Sequence, residues 1–405
     1  MHVDLHPTFA DTAQGQRARD LTSACVHCGF CLATCPTYLD NRDERDSPRG
    51  RIYLIKQLLE SGEASAITHR HLDSCLSCRS CETTCPSGMR YGQLLDIGRG
   101  LMEQQAPRPA LQRLKRGLLR RMLTRTRLFA TMLQLGRLLR PVLPPPLAQK
   151  IPARQTLKQS APLLQKTGRR VLLLEGCVQS AATPRTNNAV RRILARLGIE
   201  LLETPGAGCC GAVNYHLAAH EDGLDDLRRN IDAWWPHIDD SVEAIISSAS
   251  GCGAMLVDYD DLLANDPAYA DKARVIASLA RDIGQVMVNE DLSRLQFVTS
   301  VGKIAVQNPC SLQHSLGEAQ LVSDVLRRAG FTLVDTTDKH LCCGSAGTYS
   351  ILQRQTSQRL RENKLRALYT AGPDIIATAN VGCQLHLGET SEIPVVHWIE
   401  LLDNV

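Results

Sequence analysis

The stretch Cys25-Val26-His27-Cys28-Gly29-Phe30-Cys31-Leu32-Ala33-Thr34-Cys35-Pro36 returns fifty residues later as Cys75-Leu76-Ser77-Cys78-Arg79-Ser80-Cys81-Glu82-Thr83-Thr84-Cys85-Pro86. Both follow C-x2-C-x2-C-x3-C-P. At that spacing three thiolates of one tight loop reach three irons of a 4Fe-4S cubane, and the fourth cysteine of each run serves the other cluster. The spacing therefore predicts two clusters, one on Cys25, Cys28, Cys31 and Cys85, the other on Cys75, Cys78, Cys81 and Cys35. Zinc sites pair C-x2-C knuckles across a longer gap with four ligands in all, and disulfide frameworks belong to short secreted chains. Eight cysteines in two identical runs fit neither.

A chain of 405 residues has room for two or three domains with their own cores. Residues 1–20 are polar, carry three acids and lack the apolar stretch of a secretory signal. No run of 18 apolar residues predicts a membrane span. Sixteen cysteines in such a chain read as reduced cytoplasmic thiols available to metal. The net charge of +4 hides an asymmetry: residues 104–174 hold sixteen Lys and Arg and no Asp or Glu, leaving the rest net acidic by 12.

Between the two cysteine runs, apolar residues at 52, 54, 55, 58 and 59 follow the Ser47-Pro48-Arg49-Gly50-Arg51 turn with helical periodicity, and Gly62 is a stop. An insert of this size predicts an all-α two-cluster ferredoxin-like domain rather than a compact β-hairpin one. A further helix from about Tyr91 to Gln104 closes that domain near residue 105. Residues 109–140 read as one or two amphipathic helices, with leucines at 111, 114, 118, 119, 123, 128 and 133 among Arg113, Lys115, Arg116, Arg120, Arg121, Arg125 and Arg127. Pro141 and the prolines at 144–146 end them, and a linker runs to about 168. Such helices either pack on a neighbour with a solvated basic face or dock on an anionic membrane or an acidic partner. With 4% aromatics and no familiar binding motif, nucleic acid is not expected as a partner.

From residue 169 the chain repeats itself. Cys177, Cys209-Cys210-Gly211 and Cys252 are answered by Cys310, Cys342-Cys343-Gly344 and Cys383, at offsets of 133, 133 and 131 positions. A duplicated unit explains this agreement. Short apolar runs at 171–174, 244–246, 304–306 and 375–377 precede the lone cysteines as buried strands, with further runs at 199–202 and 331–334. Helical patterns at Val190, Ile193, Leu194, Leu197 and at Leu321, Val322, Val325, Leu326 alternate with them. The expected fold is α+β multidomain: the all-α ferredoxin-like domain (1–105), basic helices and linker (106–168), and a duplicated α/β cysteine-rich (CCG) domain with parallel sheets (169–300 and 301–405). The cysteines then gather beyond the carboxyl ends of the strands, where such sheets place their crevices.

Two ferredoxin-type motifs followed by two Cys...CCG...Cys units resemble, over nearly the whole chain, the iron-sulfur subunits of glycolate oxidase. The subunits of anaerobic glycerol-3-phosphate dehydrogenase and heterodisulfide reductase are similar more broadly. Asp46-Ser47-Pro48-Arg49-Gly50-Arg51-Ile52-Tyr53, Asn308-Pro309-Cys310-Ser311-Leu312-Gln313-His314 and Cys342-Cys343-Gly344-Ser345-Ala346-Gly347 carry the narrower resemblance. It implies an electron-transfer subunit of an oxidoreductase complex. An FAD-containing partner oxidises glycolate or a similar 2-hydroxy acid such as D-lactate, and the electrons leave to an acceptor such as membrane quinone, with the complex peripheral on the cytoplasmic face of the inner membrane.

Heterodisulfide reductase repeats carry a fifth cysteine and an unusual noncubane cluster; here the corresponding positions are Met255 and His386. A further Fe-S or redox centre is thus a candidate in the second repeat, on Cys310, Cys342, Cys343, Cys383 and His386, with His314 and His340 nearby. The first repeat has Ala181 and Ala207 where those two histidines stand. The competing reading is buried thiols acting as small hydrophobes. No catalytic residues are expected: Gly206-x-Gly208 leads into cysteines rather than a dinucleotide-binding helix, and His69, His71 and His237 read as surface or structural groups. Arg49, Arg51, Arg79 and Arg90 are placed to raise cluster potentials. The rival functions are a disulfide or quinone reductase using the CCG cysteines, an electron-transfer subunit for D-lactate or glycerol-3-phosphate, and a metal-stabilised scaffold binding nucleic acid or lipid.

Overall fold

The computed structural model describes residues 1–144, 148, 151–159, 167–239 and 241–403. Two of the three prolines at 144–146 and part of the expected linker lie outside the described residues.

The N-terminal third is helical. In α2 (Pro48–Ser61), the Ser47 hydroxyl accepts from the Gly50 N–H at 2.9 Å, Pro48 occupies the first turn and Gly62 closes the helix at φ 70°. Its face of Ile52, Ile55, Leu58 and Leu59 packs against Ala18 and Leu21 of α1 (Ala13–Ser23) and Leu94, Leu95 and Met102 of α4 (Tyr91–Gln105), with α3 (Ala66–Asp73) beside them. Gly50 is dictated by space: a Cβ there would lie 1.9 Å from the Glu44 carbonyl oxygen.

The basic island forms two helices, α5 (Ala110–Thr124) and α6 (Thr126–Leu139), divided at Arg125, whose backbone is extended. Neither contains a buried residue.

The remainder holds two four-stranded sheets, all parallel, with the same topology. The first runs β2 (Glu200–Leu202), β1 (Arg170–Leu174), β3 (Val242–Ser247), β4 (Ala280–Asp282). The second runs β6 (Leu333–Val334), β5 (Ile304–Gln307), β7 (Ile375–Thr378), β8 (Val395–His397). Helices α7 (Pro184–Leu197) and α8 (Leu321–Arg328) fill equivalent places, and their buried faces share one core with strands of both sheets. The duplication is therefore fused through a common interior.

The edge strands β4 and β8 are the elements that the hydrophobic pattern did not announce. Each is three residues long and carries polar groups, Arg281 and Asp282 in one and His397 in the other. His397 is fully buried, with Nε2 2.7 Å from the Ser248 carbonyl oxygen of the first repeat. Asp282 ends β4 and caps the next helix by accepting from the Gly284 N–H at 2.9 Å. Burial pushes its carboxyl up to about 7, with Glu318 adding to the rise and the Gly284 bond opposing it. A folded pKa above the unfolded value near 3.9 gives stability that is complete below that value and is lost as pH rises through about 7. Wild type is expected to lose about 2–3 kcal/mol relative to Asp282→Asn between pH 5 and 8, measured by chemical denaturation at both pH values. Parallel pH dependences of the two proteins would rule this out.

Candidate iron-sulfur centres and the cysteine cavity

The two ligand loops adopt one conformation. His27 and Ser77, each just before the second cysteine, have φ of 54° and 53°; Gly29 and Arg79, each just after it, have 84° and 57°. Left-handed backbone at three non-glycine residues is costly and persists where a ligand clamp requires it. It curls each loop around its thiols.

A small cavity is lined by Cys25, Cys28, Cys31 and Cys85, with Pro48, Arg49 and Ile52 from the start of α2. A second is lined by Cys35, Cys75 and Cys78 with Pro36, Thr37, Arg51 and Arg79. Cys81 and Tyr91 border both, so one wall separates them. Five thiols border the first small space and four the second, and such soft donors are the set that 4Fe-4S clusters take. The Ser77 N–H donates to Cys75 Sγ at 3.4 Å and the Tyr91 hydroxyl donates to the same sulfur at 3.6 Å.

Of the four arginines singled out from sequence, Arg51 is wholly interior. Its Nε donates to the His71 carbonyl at 2.7 Å, and Nη2 donates to Thr37 Oγ1 at 3.1 Å and Asp46 at 3.4 Å. Burial opposes its charge, but Cys75, Tyr91, Cys35 and Asp46 together overcome that penalty and hold its pKa above the ordinary arginine value. His71 is structural, with Nδ1 2.9 Å from Asp46 Oδ1. Arg49 lies at the first cavity and pairs with Glu44 at 2.8 Å. Arg79 and Arg90 reach across to Asp258 and Asp261 of the first repeat, so their charges are matched by carboxylates.

The eight CCG cysteines converge on one cavity of about 400 Å³, which also touches Cys75, Arg79, Arg99 and Tyr349. Each lone cysteine follows a strand. Each CCG glycine is left-handed, Gly211 at 91° and Gly344 at 88°, and a Cβ would strike backbone carbonyls of Gly223 and Ser357 at 2.9 and 2.6 Å. Hence the third letter of CCG. Within the quartets, Cys177 and Cys209 are 3.5 Å apart, Cys310 and Cys342 4.0 Å, and Cys343 and Cys383 3.3 Å. Sharing a proton with Cys209, then burial, raises the Cys177 pKa far above that of a free thiol; Cys310 is raised in the same way by Cys342 and burial. So crowded a set ionises only with a compensating cation.

His386 lines this cavity, but its Nε2 lies 3.1 Å from Ser357 Oγ and 3.3 Å from the Ser357 carbonyl. His314 has Nδ1 3.0 Å from Thr83 Oγ1 and Nε2 3.2 Å from the His340 carbonyl, joining the ferredoxin-like region to the second repeat. Cys78 meets that repeat directly: it packs in one cluster with Cys310 and Cys342, and its pKa is raised by burial and by Cys310.

Three contributors escaped sequence reading. Buried Arg99 donates to the Leu72 and Cys75 carbonyls, both at 2.9 Å, and Tyr349 of the second repeat donates to the Ser74 carbonyl at 3.2 Å. Tyr91 stands between the cluster cavities. No local motif marks them, because each acts on a loop distant in sequence.

Fold and donor sets define an iron-sulfur protein whose ferredoxin-like region is joined to a duplicated cysteine-rich domain. Family comparison agrees: the 4Fe-4S dicluster domain matches residues 24–90, and the cysteine-rich CCG domain matches 171–257 and 304–388. The chain belongs to the family of glycolate oxidase iron-sulfur subunits. It is 48% identical to the glycolate oxidase iron-sulfur subunit of Escherichia coli, over 100% of this chain and 98% of that protein. A probable glycolate oxidase iron-sulfur subunit of Bacillus subtilis is 31% identical, over 93% and 92%. Lactate utilization protein A of Bacillus licheniformis is 26% identical across 58% of this chain and 99% of that shorter protein.

Proposed function

We propose that this chain is the electron-relay subunit of a flavin-dependent glycolate-oxidising complex, with Cys25, Cys28, Cys31 and Cys85 holding one 4Fe-4S cluster and Cys35, Cys75, Cys78 and Cys81 the other. The observation that carries it is the position of Cys78, at the second cluster cavity and against Cys310 and Cys342 of the cysteine cavity. The opposite end is open: Cys28 is exposed, and Val26, Phe30 and Tyr53 are 65%, 61% and 49% exposed. That apolar rim suits the FAD-containing partner, and the cysteine cavity suits the route to the acceptor, a quinone at the cytoplasmic face of the inner membrane.

When bound, 4Fe-4S clusters supply one-electron transfer over a wide range of potentials. The chain's own residues fix the rest. The left-handed loops orient the thiols, Tyr91 and the Ser77 N–H donate to Cys75 sulfur, and Arg51 places positive charge beside Cys35 and Cys75. No residue here is assigned to hydroxy-acid oxidation.

A further centre on Cys310, Cys342, Cys343 and Cys383 is the second reading, favoured by their spacing, with His386 the weaker member because of its bonds to Ser357. Direct reduction of a disulfide or quinone by these cysteines is its enzymatic form. Deletion of this chain is expected to abolish acceptor-linked glycolate oxidation while the flavoprotein remains present and reduces a flavin-reactive dye. Acceptor-linked turnover persisting without the chain would overturn the relay.

A further inference from the structure

The helical hairpin of α5 and α6 leaves apolar side chains uncovered. Of the 18 large hydrophobic residues exposed among the described residues, nine lie between 111 and 142. On α5 they are Leu111, Leu114 and Leu118, at 77%, 69% and 57% exposure, spaced i, i+3, i+7 along one stripe. On α6, Leu128, Met132, Leu135 and Leu139 form a second stripe at i, i+4, i+7, i+11, with Leu138 beside it at 78%. The opposite face of α5 is anchored: Arg116 pairs with Asp73 at 2.6 Å, Arg120 with Asp222 at 2.7 Å, and Leu123 lines the cysteine cavity, while α6 lies against Gln179–Ala182 of the first repeat. The outward leucines are therefore not waiting for the body of this chain.

We propose that this hairpin is a membrane-docking surface that lies in the interface of an anionic bilayer, its leucine stripes among the acyl chains. The proposal rests on the relay reading for its purpose and on the hairpin alone for its chemistry. Lys115 and Arg121 flank the α5 stripe, Arg127 lies beside that of α6, and the hairpin contains no carboxylate. Arg113, Lys115, Arg121, Arg125 and Arg127 have no ion-pair partner among the described residues. A leucine stripe edged by cations matches acyl chains beneath anionic headgroups. Protein hot spots favour Trp, Tyr and Arg and are poor in leucine, and the exposed stripes contain no aromatic residue. No helix of the described residues is long and apolar enough to cross a membrane, so this contact is superficial. Because the inner face of α5 lines the cysteine cavity, docking sets that cavity about one helix diameter, ~10 Å, from the bilayer.

The test is co-sedimentation of the anaerobically purified, iron-loaded full chain with sucrose-loaded vesicles, either of phosphatidylcholine alone or with about one-third phosphatidylglycerol. The chain is expected to pellet with the anionic vesicles and at least about tenfold less with the neutral ones. The triple variant Leu114→Ser, Leu118→Ser, Leu135→Ser is expected to lose about tenfold or more, and Arg113→Gln, Lys115→Gln, Arg121→Gln about 100-fold. These positions are exposed, and unchanged iron content shows that the fold is intact. No pelleting with anionic vesicles, or pelleting unchanged in both variants, overturns the proposal. So does an assembled complex that fails to pellet while its other subunits crosslink to the hairpin, which makes the surface a subunit interface. Reduction of the iron-sulfur signals by glycolate in the assembled complex, read by EPR, needs no vesicle and reports the relay separately.

Discussion

Cys78→Ala is expected to lower acceptor-linked glycolate oxidation by more than about 100-fold and to remove about four iron atoms per chain, while the other cluster stays reducible. The size of the effect follows from position. Cys78 lines the second cluster cavity and also packs on Cys310 and Cys342. Losing it removes a ligand and opens the contact through which that cavity meets the cysteine cavity. Replacing Cys28, which is exposed on the first cavity, should spare the other set of iron atoms and its signal. Iron analysis and EPR of the dithionite-reduced variants separate the two losses. Equal loss of both clusters in each variant would contradict the division of ligands.

Arg51→Ala is expected to act on both stability and potential. The guanidinium is buried and shared among Asp46, Thr37 and the His71 carbonyl, so its removal strands the carboxylate of Asp46 in the interior. Breaking a buried pair from one side costs about 3–5 kcal/mol, part of which His71 recovers here through its own contact with Asp46. Positive charge beside Cys35 and Cys75 also favours the added electron, so without it the second cluster should become harder to reduce. The shift should be to lower potential for that cluster alone, seen in an EPR-monitored redox titration. Arg51→Lys should keep part of it, having the charge without the planar fork. Two unmoved potentials would remove Arg51 from the tuning of the centre.

Much of the fold was readable because its signals are local. The CP-terminated runs and the repeated CCG units use fixed spacings, and four of the six apolar strands lead into the lone cysteines. The edge strands β4 and β8 were not readable, since three residues bearing Arg281, Asp282 or His397 show no apolar run. The convergence of both CCG quartets on one cavity was only partly legible: parallel sheets predicted where each set would gather, but not that a shared core turns the two sets towards one space. Arg99 and Tyr349 were invisible because they serve loops 24 and 275 positions away. His314 was misleading for the opposite reason: its place beside Cys310 suggests a ligand, yet its ring is held by Thr83 and the His340 carbonyl.

The measurement that bears most directly on the relay is an anaerobic one: purify the complex with its partners, count iron per chain, add glycolate and record the EPR spectrum before any acceptor is supplied. The expected result is about eight iron atoms from the two N-terminal quartets, more if the CCG cysteines hold a centre, with signals appearing on glycolate addition and disappearing when acceptor is added. A colourless, zinc-loaded chain, or iron-sulfur signals that dithionite reduces and glycolate leaves untouched, would contradict it.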